Sequence, residues 1–157
     1  MKIFIYIFIM FQSMLFGDVD YNKQYMEQCM NYDVGYKKAL QGCEKEINFL
    51  LLKNELTLHE KSLLGKSYML KGTWLGKLGK EKEKFEYYMK SYNVGYCAEY
   101  NQCIIGGIIG YQYDLGIGVK QNKIKAYQFY LKSAKFGSKQ SQNNLDILCR
   151  ESSWACK

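Results

Sequence analysis

The sequence predicts an all-α protein of six or seven helices joined by short loops. Its 157 residues contain no proline, the residue that breaks helix interiors. Between Tyr21 and Cys156, apolar residues recur at intervals of three and four positions, which is the period of a helix. Glycines interrupt this pattern at short intervals, as expected where helices end. Short connections favour antiparallel helix pairs.

The first two helices are predicted at Tyr21–Tyr32 and Tyr36–Lys53. Met26, Cys29 and Met30 share one face of the first helix. Asp33–Gly35 lies between the two helices and has the composition of a tight turn. Residues 18–57 are therefore expected to form an N-terminal helical pair.

Local capping signals place the later helices. Thr57 followed by Glu60 forms a capping box at the start of a helix. Asn122 is a good N-cap, and Gly95 and Gly137 are good helix stops. Gly72 to Gly79 is predicted to be a glycine-punctuated loop. The predicted helices are Leu58–Leu70, Lys80–Val94, Ala98–Leu115, Asn122–Phe136 and Lys139–Cys149.

The charge pattern argues against nucleic acid as a partner. The chain has 22 basic and 15 acidic residues, for a formal net charge of +7. Lysines alternate with acids at Glu81–Lys84, and the only arginine is Arg150. Such interspersed lysine is typical of a solvated surface rather than of a phosphate-binding stripe.

The N-terminal segment resembles a secretory signal peptide. A basic start at Lys2 precedes an apolar run from Ile3 to Phe16, and Gly17 follows as a small residue. The run is short for a bilayer span, which needs about 20 apolar residues. Cleavage near Gly17 would release a secreted or periplasmic protein without a membrane span. The alternative is an uncleaved amphipathic or buried helix.

Export would make the six cysteines candidates for disulfides. Six cysteines allow 15 connectivities, which the sequence does not distinguish, and we expect sequential pairing. On one continuous helix Cys97 and Cys103 would point about 240° apart, so a bond between them requires a turn. Ser152–Ser153 provides a bend before the last cysteine. The expected pairs are Cys29 with Cys43, Cys97 with Cys103, and Cys149 with Cys156.

Internal repetition identifies a family resemblance. Ile109–Val119 reads Ile-Gly-Tyr-Gln-Tyr-Asp-Leu-Gly-Ile-Gly-Val, and Lys125-Ala126 precedes Phe129-Tyr130-Leu131-Lys132-Ser133-Ala134 and Gly137. Leu64–Tyr68 echoes the first part, and Tyr87–Gly95 echoes the second. This pattern resembles the Sel-one-like repeat, a helix–turn–helix relative of the tetratricopeptide repeat. The resemblance implies a short right-handed α/α solenoid over residues 58–157, ending in a C-terminal capping helix.

Secretion together with paired cysteines further resembles the Helicobacter cysteine-rich protein family. That resemblance implies disulfide-stapled repeats and a β-lactamase-like label with weak penicillin hydrolysis. The Ser-x-x-Lys, Ser-Asp-Asn and Lys-Thr-Gly motifs of serine β-lactamases do not occur in the sequence. His59 is the only histidine, and it is expected at the surface near a helix start. We therefore expect no catalytic residue, metal site or cofactor.

The favoured function is binding of a protein or peptide by a monomeric helical solenoid. Stacked helix pairs form an extended concave face, and tyrosine is enriched at interfaces. Tyr100, Tyr111 and Gln112 lie on a first helix of a repeat and are the candidate contact residues. The alternatives are a weak β-lactam hydrolase and a periplasmic immunity or adaptor protein.

Overall fold

The computed structural model describes residues 23–95 and 104–157, and every regular element in those ranges is a helix. The all-α prediction is confirmed. None of the described helices is long and apolar enough to cross a membrane. The helices are α1 (residues 23–30), α2 (Tyr36–Leu51), α3 (Leu58–Lys77), α4 (Glu81–Asn93), α5 (Ile104–Leu115), α6 (Lys123–Lys135) and α7 (Lys139–Glu151), followed by a 3-10 turn at Ser153–Cys156.

Both predicted N-caps are confirmed. At the start of α3 the Thr57 hydroxyl accepts from the Glu60 backbone N–H at 3.2 Å, and the Glu60 carboxylate accepts from the Thr57 N–H at 2.8 Å. Hydrogen bonds from Lys53 and Thr57 lower the pKa of Glu60 to about 2. At the start of α6 the Asn122 side chain accepts from the Lys125 N–H at 2.9 Å. Local sequence therefore sets where these helices begin.

The loop predicted from Gly72 to Gly79 is wrong, because α3 continues to Lys77. Only Gly79, with φ +76°, makes the turn. Gly72 has a packing role instead: a Cβ there would lie 2.7 Å from the Tyr88 ring of α4. Here glycine allows two helices to approach closely, so its presence does not end the helix.

The same contact recurs between α5 and α6. A Cβ at Gly110 would lie 2.7 Å from the Tyr130 ring, as it would at Gly72 from Tyr88. Both tyrosines are buried, at 5% and 0% exposure. The sequence echo aligns Gly65 with Gly110, but the glycine that meets the tyrosine ring in the first pair is Gly72.

A second contact lies beside each tyrosine contact. Beyond the Gly72–Tyr88 contact, the later Ser91 hydroxyl donates to the earlier Gly65 carbonyl at 2.7 Å. In the other pair, Gly110 lies against Tyr130, and the earlier Gly107 lies near the later Ser133. In each pair a serine lies one turn after the buried tyrosine, and in the first pair this serine adds a hydrogen bond between the helices.

The glycine turn between α5 and α6 packs against the first pair. Gly118 has φ +72°, in the left-handed region that favours glycine. A Cβ there would overlap the Glu81 carbonyl oxygen at the start of α4. The connection between α5 and α6 therefore lies directly on the first turn of α4.

Trp74 links the N-terminal helices to α3. Its side chain is fully buried, and its indole N–H donates to the Cys29 carbonyl at 2.9 Å. Cys29 lies in the last turn of α1, where carbonyls have no partner within their own helix. The rings of Tyr32 and Tyr36 lie 4.7 and 5.6 Å from that of Trp74. One tryptophan thus caps α1 and fills the space beneath the turn.

Replacing Trp74 with phenylalanine should destabilise the protein by at least about 1–3 kcal/mol. The change keeps an aromatic ring but leaves the buried Cys29 carbonyl without its donor. Trp154→Phe is the matched control, since Trp154 is 61% exposed. Urea unfolding of both variants measures the difference. Equal losses at the two positions would contradict this role of the indole N–H.

Among the described residues, Glu46 is the only carboxylate that is completely buried. It lies in α2 at 0% exposure. Burial raises its pKa to about 7, against a smaller opposing effect of Lys53. A carboxyl group that binds its proton more tightly when folded stabilises the fold below its unfolded pKa near 4.5. That stability is lost as the pH rises towards 7.

We expect the unfolding free energy to fall by a few kcal/mol between pH 4.5 and 7.5 on account of Glu46. In Glu46→Gln this contribution should disappear, because the amide stays neutral throughout. Glu60, with a pKa near 2, titrates below this window. Urea unfolding at a series of pH values gives the change of unfolding free energy with pH for the wild type and for Glu46→Gln. Parallel pH profiles for the wild type and the variant would contradict the raised pKa.

Candidate functional site

A groove of about 510 Å³ lies between α5 and the start of α7. We call it the α5–α7 groove. One wall consists of four residues of α5, and the other of residues 137–141 and Asn144. The α5 residues are Ile104, Gly107, Ile108 and Tyr111.

The α5 wall presents apolar surface to solvent. Ile104 is 60% exposed and Tyr111 is 47% exposed. Ile108, between them, is partly buried and packs on the core of the second helix pair. The central residue of this wall is therefore packed on the core, and the exposed side chains at its two ends can contact an apolar group.

The opposite wall is polar, and its hydroxyl groups are fixed. Ser138 caps α7 by accepting from the Ser141 N–H at 3.2 Å. Its hydroxyl also donates to Ser141 Oγ at 3.0 Å, and Ser141 Oγ donates to Ser133 Oγ at 2.8 Å. A Cβ at Gly107 would collide with Ser141 Oγ. The hydroxyl chain joins α7 to α6, and the close approach of Gly107 to Ser141 brings the two walls together.

A disulfide secures the far end of α7. Cys149 is bonded to Cys156 with the Cα atoms 5.6 Å apart, and the 3-10 turn brings the chain back between them. Cys29 is bonded to Cys43 in the same sequential manner. Sequential pairing is confirmed for these two bonds, which indicate an oxidising environment, extracellular or periplasmic. The predicted pair of Cys97 and Cys103 lies outside the described residues.

The structure separates two of the predicted contact residues, Tyr111 and Gln112. Tyr111 lines the groove, and its role as a contact residue stays a prediction. Gln112 does not reach the surface: it is 1% exposed, and its Nε2 donates to the Ile117 carbonyl at 3.4 Å, so its assignment as a contact residue is corrected. Tyr100 lies outside the described residues.

Sequence reasoning missed most of the groove. Its polar wall carries a recognisable local signal, a serine directly after the helix-ending Gly137 and three residues before a second serine at 141. Ile104 and Ile108 have no such signal, because apolar residues at helical spacing are also typical of a core. Their exposure depends on how far apart α5 and α7 lie.

The described residues that line this groove are neutral apart from Lys139. His59 is exposed near the start of α3, as expected. No group of three histidine, cysteine or acidic side chains able to hold a metal ion occurs in ranges 23–95 and 104–157. The groove hydroxyls of Ser138 and Ser141 are engaged in the cap of α7.

Comparisons with known proteins gave no match. No protein-family model, curated protein or solved structure is similar to the chain above the threshold of significance.

Proposed function

We propose that this chain is an exported peptide-binding protein that holds a segment of a protein partner in the α5–α7 groove without catalysis. The observation that carries the proposal is the groove itself, with an apolar wall facing a fixed polar wall. Its volume of about 510 Å³ falls within the range of about 300–1,000 Å³ typical of binding clefts. The protein acts as a monomer in the bacterial periplasm or outside the cell.

The proposal includes a short right-handed α/α solenoid of antiparallel pairs, related to Sel-one-like repeats. Support comes from the matched contacts of the two central pairs, Gly72 with Tyr88 and Gly110 with Tyr130. Both second helices also end at a glycine with positive φ, Gly95 at 86° and Gly137 at 90°. Repeat units are expected to reuse one packing solution in this way.

A peptide fits the two walls better than a compact ligand does. An extended chain carries apolar side chains and backbone polar groups along its whole length. Tyr111 and Ile104 would cover the side chains, and the exposed Lys139 and Gln140 at the start of α7 would meet the polar groups. Half-exposed tyrosine is a frequent anchor in such contacts because it combines apolar area with a hydroxyl group.

Export is part of the proposal, with residues 1–17 as the signal peptide. That segment lies outside the described residues, and the support for export comes from the two disulfides. Hydrolysis is not part of the proposal, because Ser138 and Ser141 hydrogen-bond within the cap of α7.

Selection from a displayed peptide library on the oxidised protein tests the groove. Enriched peptides should lose about ten-fold or more in affinity for Tyr111→Ala, since a hot-spot side chain is worth about 2 kcal/mol or more. Tyr36→Ala is the matched control: Tyr36 is exposed to a similar extent, 42% against 47%, and lies on α2, away from the groove. Isothermal titration calorimetry measures the affinities.

Two outcomes would contradict the proposal. One is a library that yields no enriched peptide on well-folded protein. The other is a set of peptides that bind the Tyr111 and Tyr36 variants equally well. Circular dichroism of each variant confirms that the helices are intact.

A further inference from the structure

A second cleft, of about 350 Å³, lies between α2, α3 and α4. We call it the α2–α4 cleft. It shares no residue with the α5–α7 groove. Its walls combine charged and aromatic groups with an apolar edge, and the residues used below are Glu44, Ile47, Leu51, Lys71, Tyr87 and Lys90.

Two lysines converge on the ring of Tyr87 in this cleft. Lys71 Nζ lies 4.4 Å from the ring centre, and Lys90 Nζ lies 4.6 Å from it. An ammonium group at that distance is attracted by the electron-rich face of the ring. The aromatic side chain of α4 therefore holds two positive charges beside one opening.

Lys71 is fixed in its charged form. Its side chain is 12% exposed, and its Nζ lies 2.9 Å from Glu44 Oε1. Burial tends to lower the pKa of Lys71, but hydrogen bonds with Tyr87 and Glu44 outweigh burial, so that the pKa lies above its ordinary value. This lysine is a permanent cation at the base of the cleft.

Lys90 is the surplus charge. Within the described residues, the carboxylate that lines the cleft is Glu44, and it pairs with Lys71. Glu86 lies four residues before Lys90 on α4, but no described carboxylate is within ion-pair distance of Lys90 Nζ. Among the described residues, the charged side chains that line the cleft thus sum to one net positive charge, carried by the exposed Lys90.

We propose that the α2–α4 cleft binds a single carboxylate carried on an apolar group. The carboxylate would lie between Lys90 and Lys71, and the apolar group would cover the half-exposed Leu51 beside the buried Ile47. A monoanion matches the surplus of one charge, whereas a phosphate dianion would exceed it. The site is independent of the peptide groove, and either can exist without the other.

N-acetyl-L-leucine is the probe, because it has one carboxylate and one aliphatic side chain. Added to isotopically labelled, oxidised protein, it should give saturable amide chemical-shift changes confined to α2, α3 and α4. N-acetyl-L-leucinamide, which lacks the charge, should bind at least about ten-fold more weakly. N-acetyl-Ala-Ala-Leu shows which kind of molecule supplies the carboxylate. If it binds much more tightly than N-acetyl-L-leucine, the natural ligand is a peptide C-terminus. If the two bind equally, the natural ligand is a small free acid.

Three variants separate the site from general charge attraction. Lys90→Met should weaken the probe about ten-fold, because it removes the unpaired ammonium group. Glu44→Gln should strengthen binding, since it adds a second net positive charge. Lys82→Met, an equal charge change at an exposed position of the same helix, should leave the affinity unchanged. Absence of saturable shifts in the cleft, or equal weakening by Lys82→Met and Lys90→Met, would overturn the proposal.

Discussion

The close contact of a tyrosine ring with a glycine is the constraint on which the rest of the structure depends. Gly72 lies beneath Tyr88, and Gly110 lies beneath Tyr130. A buried ring of this size can pack against a neighbouring helix at short range only where that helix has no Cβ. The two contacts fix the separation within each pair, and this in turn places the turn at Gly118 against the start of α4.

A disulfide lies at each end of the helical series, and a large buried side chain stabilises the N-terminal end as well. At the N-terminal end, Trp74 caps α1, and the bond between Cys29 and Cys43 joins α1 to α2. At the C-terminal end, the bond between Cys149 and Cys156 folds the last turn back on α7. The first turn of α7 faces the exposed side of α5 across the α5–α7 groove.

Much of the fold could be predicted from local sequence, since caps and stops act over four residues. Thr57 with Glu60, Asn122 and Gly137 all lie where the pattern placed them. The region around Gly72 was mispredicted because a glycine that ends a helix and a glycine that admits a neighbour look alike in sequence. The site was harder to predict. Tyr111 and Gln112 are adjacent, but one position rotates a side chain by about 100°, which separates the groove from the core.

The central claim is that the two helix pairs share one packing solution, and unfolding of three alanine variants tests it most directly. Gly72→Ala and Gly110→Ala should each lower stability by about 1–3 kcal/mol, because the new methyl group meets a buried ring. Gly76→Ala is the control in the same helix as Gly72: its Cβ would meet only the flexible end of Lys84, so helix propensity should leave stability unchanged or up to about 1 kcal/mol higher. Two results would contradict the claim. One is an equal change in the unfolding free energy of all three variants, and the other is a decrease in only one of Gly72→Ala and Gly110→Ala. In either case the two pairs do not share the glycine–tyrosine packing.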